Sequence, residues 1–249
     1  MNSKKIVIEV ENLVKKFGDF VANDNLTFKV YQGEIFGFLG ANGAGKTTAI
    51  RILSGLLEPT SGKITVAGYN AYTQRDQIKA NIGYMSQKFS LYDDLTVREN
   101  IRFFGGIYGL RGKELKNRID ELIVDLHLEE IKNELISSIP LGWKQKLAFS
   151  IAMIHKPAIV FLDEPTGGVD PITRRSFWEM INSVANRGTT VFVTTHYMDE
   201  AEYCDRVTIM VDGRIEALET PTTLKRNFNV SSMDEVFVLL ARNGVRTNS

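Results

Sequence analysis

GANGAGKT, residues 40–47, is the most informative part of the sequence, because it fits the phosphate-binding pattern G-x-x-x-x-G-K-[ST]. Glycines at these positions let backbone N–H groups turn toward a phosphate chain, since no side chain blocks the approach. Lys46 can reach the β- and γ-phosphates of a nucleotide, and the Thr47 hydroxyl can bind Mg²⁺. The pattern alone does not distinguish ATP from GTP and does not establish hydrolysis. The residues expected to hold the nucleotide are Gly40, Ala41, Asn42, Gly43, Ala44, Gly45, Lys46, Thr47 and Thr48.

The residues on either side of this loop predict the strand–loop–helix arrangement that a phosphate site needs. EIFGFL, residues 34–39, is a short apolar run typical of a buried strand, and TAIRIL, residues 48–53, is typical of the start of a helix. The N-terminus of a helix presents free N–H groups and a partial positive charge to an anion. A glycine-rich turn that only joins two elements is the competing interpretation. The complete spacing and the two flanking elements disfavour it.

Length and composition describe an ordinary globular chain without a strong charge bias. The 249 residues are 43% hydrophobic and 24% charged, which suits one large domain or one domain with a sizeable insertion. Basic and acidic residues number 30 each, so the net charge weighs against a broad polyanion-binding surface and we expect no nucleic-acid partner. No apolar run approaches the roughly 18–20 residues that span a bilayer, and we expect no signal peptide. The single cysteine, Cys204, fits a reducing compartment.

Hydrophobic patterns predict an α/β fold interrupted by a helical segment. Apolar or β-branched runs predict strands at residues 6–10, 26–30, 64–66, 82–86, 158–162, 189–195, 207–211 and 214–218. Helical spacing and capping boxes predict helices after residue 96, at 113–126, 143–154 and 174–185, and in the tail. We predict one domain, residues 1–249, with a core at 1–87 and 156–225, a helical subdomain at 88–155 and a C-terminal helix at 231–242. The alternation of strands and helices predicts a mostly parallel sheet.

Three further candidate site residues, Gln87, Asp163 and His196, each come directly after a predicted strand. Ligands of parallel sheets bind at the carboxyl ends of the strands, so one edge can collect these residues together with the glycine-rich loop. Asp163 can hold the Mg²⁺ of a bound nucleotide, and Glu164 can orient or deprotonate the attacking water. Gln87 can bind Mg²⁺ or the water, and a neutral His196 imidazole can hydrogen-bond the γ-phosphate or the water. Each residue alone is often incidental, and their combination with the loop favours the functional interpretation.

Taken in order, these motifs resemble the nucleotide-binding subunits of ATP-binding cassette (ABC) transporters over essentially the whole chain. The matching segments are GANGAGKT at 40–47, YMSQ ending at Gln87, IVFLDEPT at 159–166, VD ending at Asp170 and TTH ending at His196. In VKKFG, Phe17 stands where this family stacks an aromatic ring on adenine. The order and spacing together are a far more specific signal than any single motif.

The resemblance implies a fold, a pair of ligands and a set of roles. The fold is a P-loop NTPase core with a mostly parallel sheet, an antiparallel β portion and an inserted helical subdomain. The ligands are ATP and Mg²⁺. The implied catalytic residues are Lys46, Glu164 and His196. The implied Mg²⁺ ligands are Thr47, Gln87 and Asp163.

One motif departs from the family pattern. Where such proteins carry Leu-Ser-Gly-Gly-x-x-Gln before a helix, this chain reads IPLGWKQ at residues 139–145. Pro140 offers neither a hydroxyl nor a backbone N–H, and Leu141 places a bulky side chain where the backbone should approach a phosphate. Gly142 and Trp143 can still present N–H groups at a helix N-terminus, and Gln145 keeps its position. We predict a signature that is weakened and still works.

The resemblance also implies partners and a location. In this family the signature of one subunit completes the nucleotide site of another, so a second ATPase chain is expected, identical or different. Integral membrane permease subunits and a peripheral location at the cytoplasmic face of the cell membrane are also expected. A surface that includes Phe89, Leu91 and Tyr92 is the candidate docking site, and ordinary core packing is the alternative. The expected function is to power an exporter of drugs, lipids or other small molecules.

Two other functions remain open from the sequence. A cassette with this signature could bind ATP and regulate while hydrolysing it poorly, although the presence of Glu164 and His196 argues against that role. An ABC ATPase that acts on ribosomes, DNA or assembly machinery commonly carries two cassettes or a basic surface, and this sequence has neither. A P-loop kinase or GTPase is disfavoured by Gln87, Asp170 and His196 together.

Overall fold

The computed structural model describes residues 5–88 and 90–246, and two β-sheets with surrounding helices form the fold. The strands are β1 Ile6–Phe17, β2 Phe20–Tyr31, β3 Ile35–Gly40, β4 Ser61–Val66, β5 Tyr69–Asn70, β6 Ile82–Met85, β7 Ile159–Asp163, β8 Thr190–Thr195, β9 Arg206–Val211 and β10 Arg214–Glu219. The α-helices are α1 Lys46–Leu53, α2 Arg75–Asn81, α3 Val97–Ile107, α4 Gly112–Asp125, α5 Leu141–Ala152, α6 Pro171–Asn186, α7 Pro221–Phe228 and α8 Met233–Arg246. Short 3₁₀ helices cover Ile136–Ser138 and Met198–Tyr203.

The larger sheet places the motif-bearing strands side by side. Its order is β10-β9-β3-β8-β7-β6, with every neighbouring pair parallel except β9 and β10. β3 is buried along its whole length and ends at Gly40, where the glycine-rich loop begins. β7 ends at Asp163 and β8 ends at Thr195, so the carboxyl ends of three neighbouring strands meet at one edge. The mostly parallel sheet predicted from the sequence is confirmed.

The smaller sheet is antiparallel, in the order β2-β1-β4-β5, and its two longest strands exceed the predicted ones. β1 and β2 have 12 residues each, whereas the sequence predicted residues 6–10 and 26–30. The reason is local, since Asn12 and Asn25 adopt left-handed backbone with φ of 53° and 60°, and the register of the pair shifts around them. A bulge adds a residue and changes which side chains face inward. A pattern of period two therefore stops at each bulge although the strand continues.

Two apolar clusters cover opposite faces of the larger sheet. Phe36, Phe38 and Phe192 pack on one face with residues of α1 and the smaller sheet. Val191 and Val193 pack on the other face with residues of α6 and α8. Alternate residues of one strand thus enter different clusters, because successive side chains of a strand point to opposite faces. The sheet that carries the site is consequently fixed from both sides.

A third apolar cluster joins α3, α4 and α5, which lie between β6 and β7 in the chain. Thr96 and Glu99 form the predicted capping box at the start of α3. The helices confirm the helical character that the sequence predicted for the described part of residues 88–155. The division into a core and a subdomain with those boundaries stays a prediction.

Two turns have the backbone angles that their local sequences favour. Gly188 follows α6 with φ of 96°, the left-handed conformation with which many helices end. Asp212 and Gly213 both have positive φ, 47° and 80°, as a two-residue hairpin of type I′ requires. The hairpin joins β9 to β10 at one end of the larger sheet.

Two helices were not predicted from the sequence. α2 buries only Ile78, so its sequence lacks the apolar periodicity that marks a helix. α7 begins with Pro221 behind the capping Thr220, a start signal that the prediction did not use. As a result, the predicted core boundary at residue 225 falls inside a helix.

The C-terminal helix differs from its prediction at both ends. Ser232 and Glu235 form the expected reciprocal cap, and α8 begins at Met233 and continues to residue 246, whereas the prediction was 231–242. Across residues 5–88 and 90–246, the helices are too short or too polar to traverse a lipid bilayer.

Candidate nucleotide-binding site

The glycine-rich loop joins β3 to α1 and lies against β2. Gly45 has φ of 95°, and a Cβ there would lie 2.3 Å from the carbonyl oxygen of Ala22. Asn23, fully buried on β2, donates its side-chain amide to the Gly45 carbonyl oxygen at 3.1 Å. The neighbouring strand therefore holds the loop closely, and there is no room for a side chain at residue 45.

Lys46 begins α1 with its side chain folded into the loop. It is 4% exposed, and its ammonium donates to the carbonyl oxygens of Gly40 at 2.8 Å and Ala41 at 3.0 Å. The same ammonium lies 3.2 Å from Oε1 of Glu164. A cation in this place can exchange carbonyl oxygens for phosphate oxygens without leaving the site, because both are strong acceptors.

Glu164 is the residue on which the site converges. Its Oε2 accepts hydrogen bonds from Nε2 of Gln87 and from Nδ1 of His196, both at 3.0 Å, while Oε1 faces Lys46. Gln87 follows β6 and His196 follows β8, the two strands that flank β7. Because an ionised carboxylate only accepts, Nδ1 of His196 carries the proton of this contact, and Nε2 of a neutral ring can accept another.

The backbone at Glu164 is strained and is held in place by hydrogen bonds to Thr194. Its φ of 47° is left-handed, which is uncommon for a residue with a side chain. Such strain costs on the order of 1–3 kcal/mol and persists at functional sites where the surroundings enforce it. Here Thr194 enforces it, because the Glu164 N–H donates to the Thr194 side-chain oxygen at 3.0 Å and to its carbonyl oxygen at 3.1 Å.

Asp163 ends β7, directly before Glu164, and is held by two hydroxyl groups. Thr194 donates to Oδ1 of Asp163 at 2.7 Å, and Thr47 donates to the same oxygen at 3.3 Å. Asp163 is 1% exposed, and burial raises the pKa of its carboxyl although both hydroxyl groups act to lower it. Hydroxyl and carboxylate oxygens are the ligands that Mg²⁺ prefers, and they lie within reach of one ion here. The residues present therefore fit that metal.

Phe17 ends β1 and begins the hairpin that leads into β2, the strand that contacts the glycine-rich loop. Its ring is 49% exposed, and the Lys15 ammonium lies 4.9 Å from the ring centroid. Phe17 pairs with Phe20 across the turn, and β2 continues from there to Ala22, whose carbonyl oxygen faces Gly45. An exposed aromatic side chain suits a stacked base.

The signature residues lie at the start of α5, next to the start of α6. Pro140 precedes α5, whose first residue, Leu141, is 44% exposed. A Cβ at Gly142 would lie 3.0 Å from Cγ2 of Thr173, so the start of α5 abuts the start of α6. Trp143 is half-buried within the helical cluster.

Gln145 differs from the other signature residues in its surroundings. Its side chain is fully buried, and its amide donates to the Pro165 carbonyl oxygen of the same chain. This bond links α5 to the loop that follows Glu164. In this arrangement Gln145 faces its own chain, so it supports the signature from inside.

Asp170 caps the N-terminus of α6. Its carboxylate accepts from the backbone N–H groups of Ile172 and Thr173, each at 3.0 Å, and from the Thr173 hydroxyl at 2.5 Å. These bonds, first of all the one from the Thr173 hydroxyl, lower the pKa of Asp170. In the family that this chain resembles, the VD segment ending at Asp170 is called the D-loop, and here these bonds fix its aspartate at a helix start.

Sequence reasoning did not single out two residues that hold the site together. Thr194 bridges Asp163 and Glu164, and the parallel register that places Thr194 opposite Asp163 decides this contact. Asn23 holds the loop at Gly45 from β2, 22 residues away in the chain. The only signal for Thr194 is its place at the end of a β-branched strand, and nothing local marks Asn23.

Comparison with known proteins agrees with this geometry. Residues 23–167 match the family described as ABC transporter. The probable multidrug ABC transporter ATP-binding protein YbhF of Escherichia coli is 51% identical over 219 residues, which is 88% of this chain and 38% of that protein. The linearmycin resistance ATP-binding protein LnrL of Bacillus subtilis is 36% identical over 251 residues, covering 97% of this chain and 81% of that protein.

Solved structures show the same architecture. A structure of an ATP-binding subunit of an ABC transporter superposes with a TM-score of 0.83 at 30% identity, covering 94% of this chain and 99% of that one. A dimeric ATP-binding cassette in a post-hydrolysis state with ADP and Pi has a TM-score of 0.77 at 26% identity, covering 86% of this chain and 98% of that one. The chain belongs to the ABC transporter family.

Proposed function

We propose that this cassette hydrolyses Mg-ATP and supplies the energy for a membrane exporter. The observation that carries the proposal is the convergence of Lys46, Gln87 and His196 on the Glu164 carboxylate, at 3.0 to 3.2 Å. One acidic group beside a phosphate-binding cation and two polar side chains is the arrangement that water activation needs. The chain spans only 38% of YbhF, so activity, substrate and partners are proposed for this chain and not transferred from that protein.

In the proposed reaction, the backbone N–H groups of the loop cradle the phosphate chain while Lys46 moves from carbonyl oxygens to the β- and γ-phosphates. A water oxygen attacks the γ-phosphorus, and the bond from this phosphorus to the β–γ bridging oxygen breaks. Glu164 takes the proton of the water, and ADP and inorganic phosphate are released. His196 holds the water or the γ-phosphate through Nε2, with its ring oriented by the Nδ1–H bond to Glu164.

Mg²⁺ fits beside this reaction. Thr47 and Asp163 would hold the ion with phosphate oxygens, and Gln87 would join them once its amide leaves Glu164. When bound, the ion neutralises charge on the phosphates. Asp163 would then be held ionised, because a nearby cation favours the carboxylate over its protonated form.

ATP is the proposed nucleotide. Phe17 offers an exposed ring on the hairpin whose second strand contacts the glycine-rich loop, and a purine stacked on it would be bound without strict selection, since any base has a flat face. The names of the similar proteins, which describe ATP-binding subunits, support ATP over GTP.

A second cassette is the proposed partner at the nucleotide. Leu141 at the start of α5 is 44% exposed, and Ile172 at the start of α6 is 83% exposed, on helix ends that abut each other. Exposed apolar side chains grouped at one place favour burial against another protein. The dimeric cassette among the similar structures supports this arrangement. The partner can be an identical chain or a different cassette, and ATP-dependent dimerisation of the purified chain distinguishes the two.

Membrane permease subunits are the other proposed partners. A groove of about 360 Å³ opens between the sheet edge at β6 and the helical segment, lined among others by Tyr84, Leu91, Phe104 and Ile107. Tyr92, beside it, is 46% exposed and packs on Phe104 with ring centroids 6.0 Å apart. We propose this apolar surface as the docking site, which places the cassette at the cytoplasmic face of the membrane. Phe89, part of the same prediction, lies outside the described residues.

Export is the proposed direction. The names of several relatives describe drug resistance or export, including the daunorubicin resistance ATP-binding protein DrrA3 of Streptomyces coeruleorubidus and the Nod factor export ATP-binding protein I of Rhizobium. The altered signature at Pro140 and Leu141 is the one observation in favour of a regulatory cassette. The convergence of side chains on Glu164 supports hydrolysis instead.

The test is the steady-state ATPase rate of the purified chain and its Glu164→Gln variant with Mg²⁺. Loss of the base lowers kcat by about 10²–10⁴-fold while ATP binding is kept. Glu216→Gln, an exposed carboxylate on β10, is the matched control and keeps the wild-type rate. A Glu164→Gln variant that turns over ATP as fast as the wild type would remove the basis of the proposal.

A further inference from the structure

We propose that Arg174 is a positioning residue for His196, acting through the ring of Tyr197. The inference rests on the proposed ATPase function, because His196 matters only if ATP is hydrolysed at this site. It assigns a role to a residue of α6 that lies outside every motif named above. Arg174 would connect the start of α6, where Asp170 lies, to the histidine that touches Glu164.

The first observation is a column of three side chains. The Arg174 guanidinium carbon lies 4.0 Å from the centroid of the Tyr197 ring, a cation–π contact. The Tyr197 ring lies 4.1 Å from the His196 ring, centroid to centroid, at an interplanar angle of 36°. Nδ1 of His196 in turn contacts Glu164 at 3.0 Å. A displacement of the guanidinium therefore reaches the carboxylate through two rings in direct contact.

The second observation concerns the other side of the guanidinium. Nε of Arg174 lies 3.7 Å from Oε1 of Glu200, and Nη1 lies 3.6 Å from Oδ2 of Asp199, both longer than hydrogen bonds. Glu200 is fully buried, and its Oε1 accepts the Thr166 hydroxyl at 2.6 Å. Nε of Arg174 and Oε2 of Glu200 have no hydrogen-bond partner although both are buried.

Unpartnered buried polar atoms on both members of an ion pair need an explanation, because such groups are nearly always bonded in proteins. A small shift of α6 toward Glu200 would bring Nε and a carboxylate oxygen within bonding distance and draw the guanidinium off the Tyr197 ring. Arg174 thus has two available partners, the ring and the buried carboxylate. Two discrete arrangements of one side chain are what a switch element requires.

The third observation is the route from the D-loop to Arg174. The Arg174 N–H donates to the Asp170 carbonyl oxygen at 2.9 Å, so Arg174 stands on the first turn of the helix that Asp170 caps. On the far side, Thr166 is two residues beyond Glu164, and its hydroxyl is bonded to Glu200. A second cassette that moves Asp170 would therefore adjust His196 and the loop after Glu164 together.

The variants are chosen to separate the ring contact from the fold. Arg174→Met removes the charge and keeps the length, and Tyr197→Leu removes the ring. Tyr197→Phe keeps the ring and is expected to retain the wild-type rate. Arg175→Met is the matched control, because the Arg175 side chain is 78% exposed on the same helix and, within residues 5–88 and 90–246, pairs with Glu179 at 3.6 Å. Thermal unfolding establishes which variants are folded.

The kinetic test is a double-mutant cycle with His196→Ala. Arg174→Met and Tyr197→Leu are each expected to lower kcat about tenfold or more with little change in the KM for ATP, since a misplaced group loses rate steeply. In the His196→Ala background neither should lower kcat further, because the group they position is gone. Equal losses of kcat in both backgrounds would overturn the proposal, as would an Arg175→Met variant with the same loss.

A second measurement does not depend on hydrolysis. The chain has three histidines, so a ¹⁵N-histidine-labelled sample gives few side-chain signals in an NMR spectrum. Arg174→Met is expected to shift the ring signals of His196 and to leave those of His127 in place, while Arg175→Met shifts neither. Unshifted His196 signals in Arg174→Met would overturn the inference. If the wild-type chain has no ATPase activity and Arg174→Met still shifts the His196 signals, the result counts against the proposed function and not against the positioning of His196 by Arg174.

Discussion

Replacing Thr194 with valine removes the hydroxyl that joins Asp163 to Glu164 while keeping the shape of the side chain. In the structure this hydroxyl donates to the Asp163 carboxylate at 2.7 Å and accepts the Glu164 N–H at 3.0 Å, and Thr194 is fully buried. The Glu164 N–H keeps its second acceptor, the Thr194 carbonyl oxygen at 3.1 Å. The main loss is therefore the charge-assisted bond to Asp163.

The size of the effect follows from these contacts. A hydrogen bond to a charged group contributes about 1.5–3 kcal/mol, and the extra buried methyl group returns roughly 0.8 kcal/mol. The expected loss in the free energy of unfolding is about 1–2 kcal/mol at neutral pH, or roughly 2–8 °C in Tm for a chain of this size. The ATPase rate should fall as well, because the strained backbone of Glu164 loses one of its two braces.

Chemical denaturation and kcat, measured side by side, provide the assay. Thr208→Val is the matched control, since Thr208 is a fully buried strand residue whose hydroxyl donates to the Gly37 carbonyl oxygen at the long distance of 3.5 Å. Thr208→Val should cost clearly less stability and leave kcat unchanged. The Thr194→Val loss should shrink as the pH falls through the pKa of Asp163, because the hydroxyl then faces a neutral carboxyl. Equal losses for both valine variants at neutral pH would refute this reasoning.

Three further predictions concern other parts of the site. Asp163→Asn should stabilise the chain without nucleotide at pH 8 and abolish Mg-ATP turnover. Burial raises the folded-state pKa of Asp163, so the ionised carboxylate lowers stability as the pH rises through that pKa. Calorimetry should show the stability gain of the variant shrinking as the pH falls toward the ordinary Asp pKa of about 3.9. Gly45→Ala should lower stability beyond the ~1–2 kcal/mol of left-handed strain, whereas Gly43→Ala, with φ of 84° and open space for a Cβ, should lose no more than that strain in urea unfolding. Pro140→Ser with Leu141→Gly should raise ATP turnover, because serine supplies a hydroxyl and an N–H and caps α5; unchanged or lower turnover would contradict the idea of a weakened signature.

Much of the fold could be predicted from the sequence because its signals are local. The glycine-rich loop, the buried apolar strands and the capping box at Thr96 each depend on a few neighbouring residues. The lengths of β1 and β2 could not, since Asn12 and Asn25 produce bulges that a strand pattern does not reveal. α7 was predictable in principle, because Thr220 and a following proline form a standard helix start.

The site residues also fall into those that local sequence signals predict and those that they do not. Lys46 and Glu164 belong to motifs whose spacing fixes their chemistry, and the sequence predicted their roles. Contacts that join distant segments depend on sheet register and helix packing, as in the bridge made by Thr194 and the column that begins at Arg174. These contacts connect residues that have no common pattern in the chain. The orientation of Gln145 toward its own chain belongs to this group as well.

The most direct test of the account is Mg-ATP-dependent dimerisation of the Glu164→Gln variant, followed by light scattering. Removing the base should trap the closed state, in which the loop of one cassette and the Pro140–Leu141 signature of another enclose ATP. The account predicts a shift from monomer to dimer with ATP and none with ADP. A variant that binds saturating ATP and stays monomeric would contradict the claim that this signature completes the site of an identical chain.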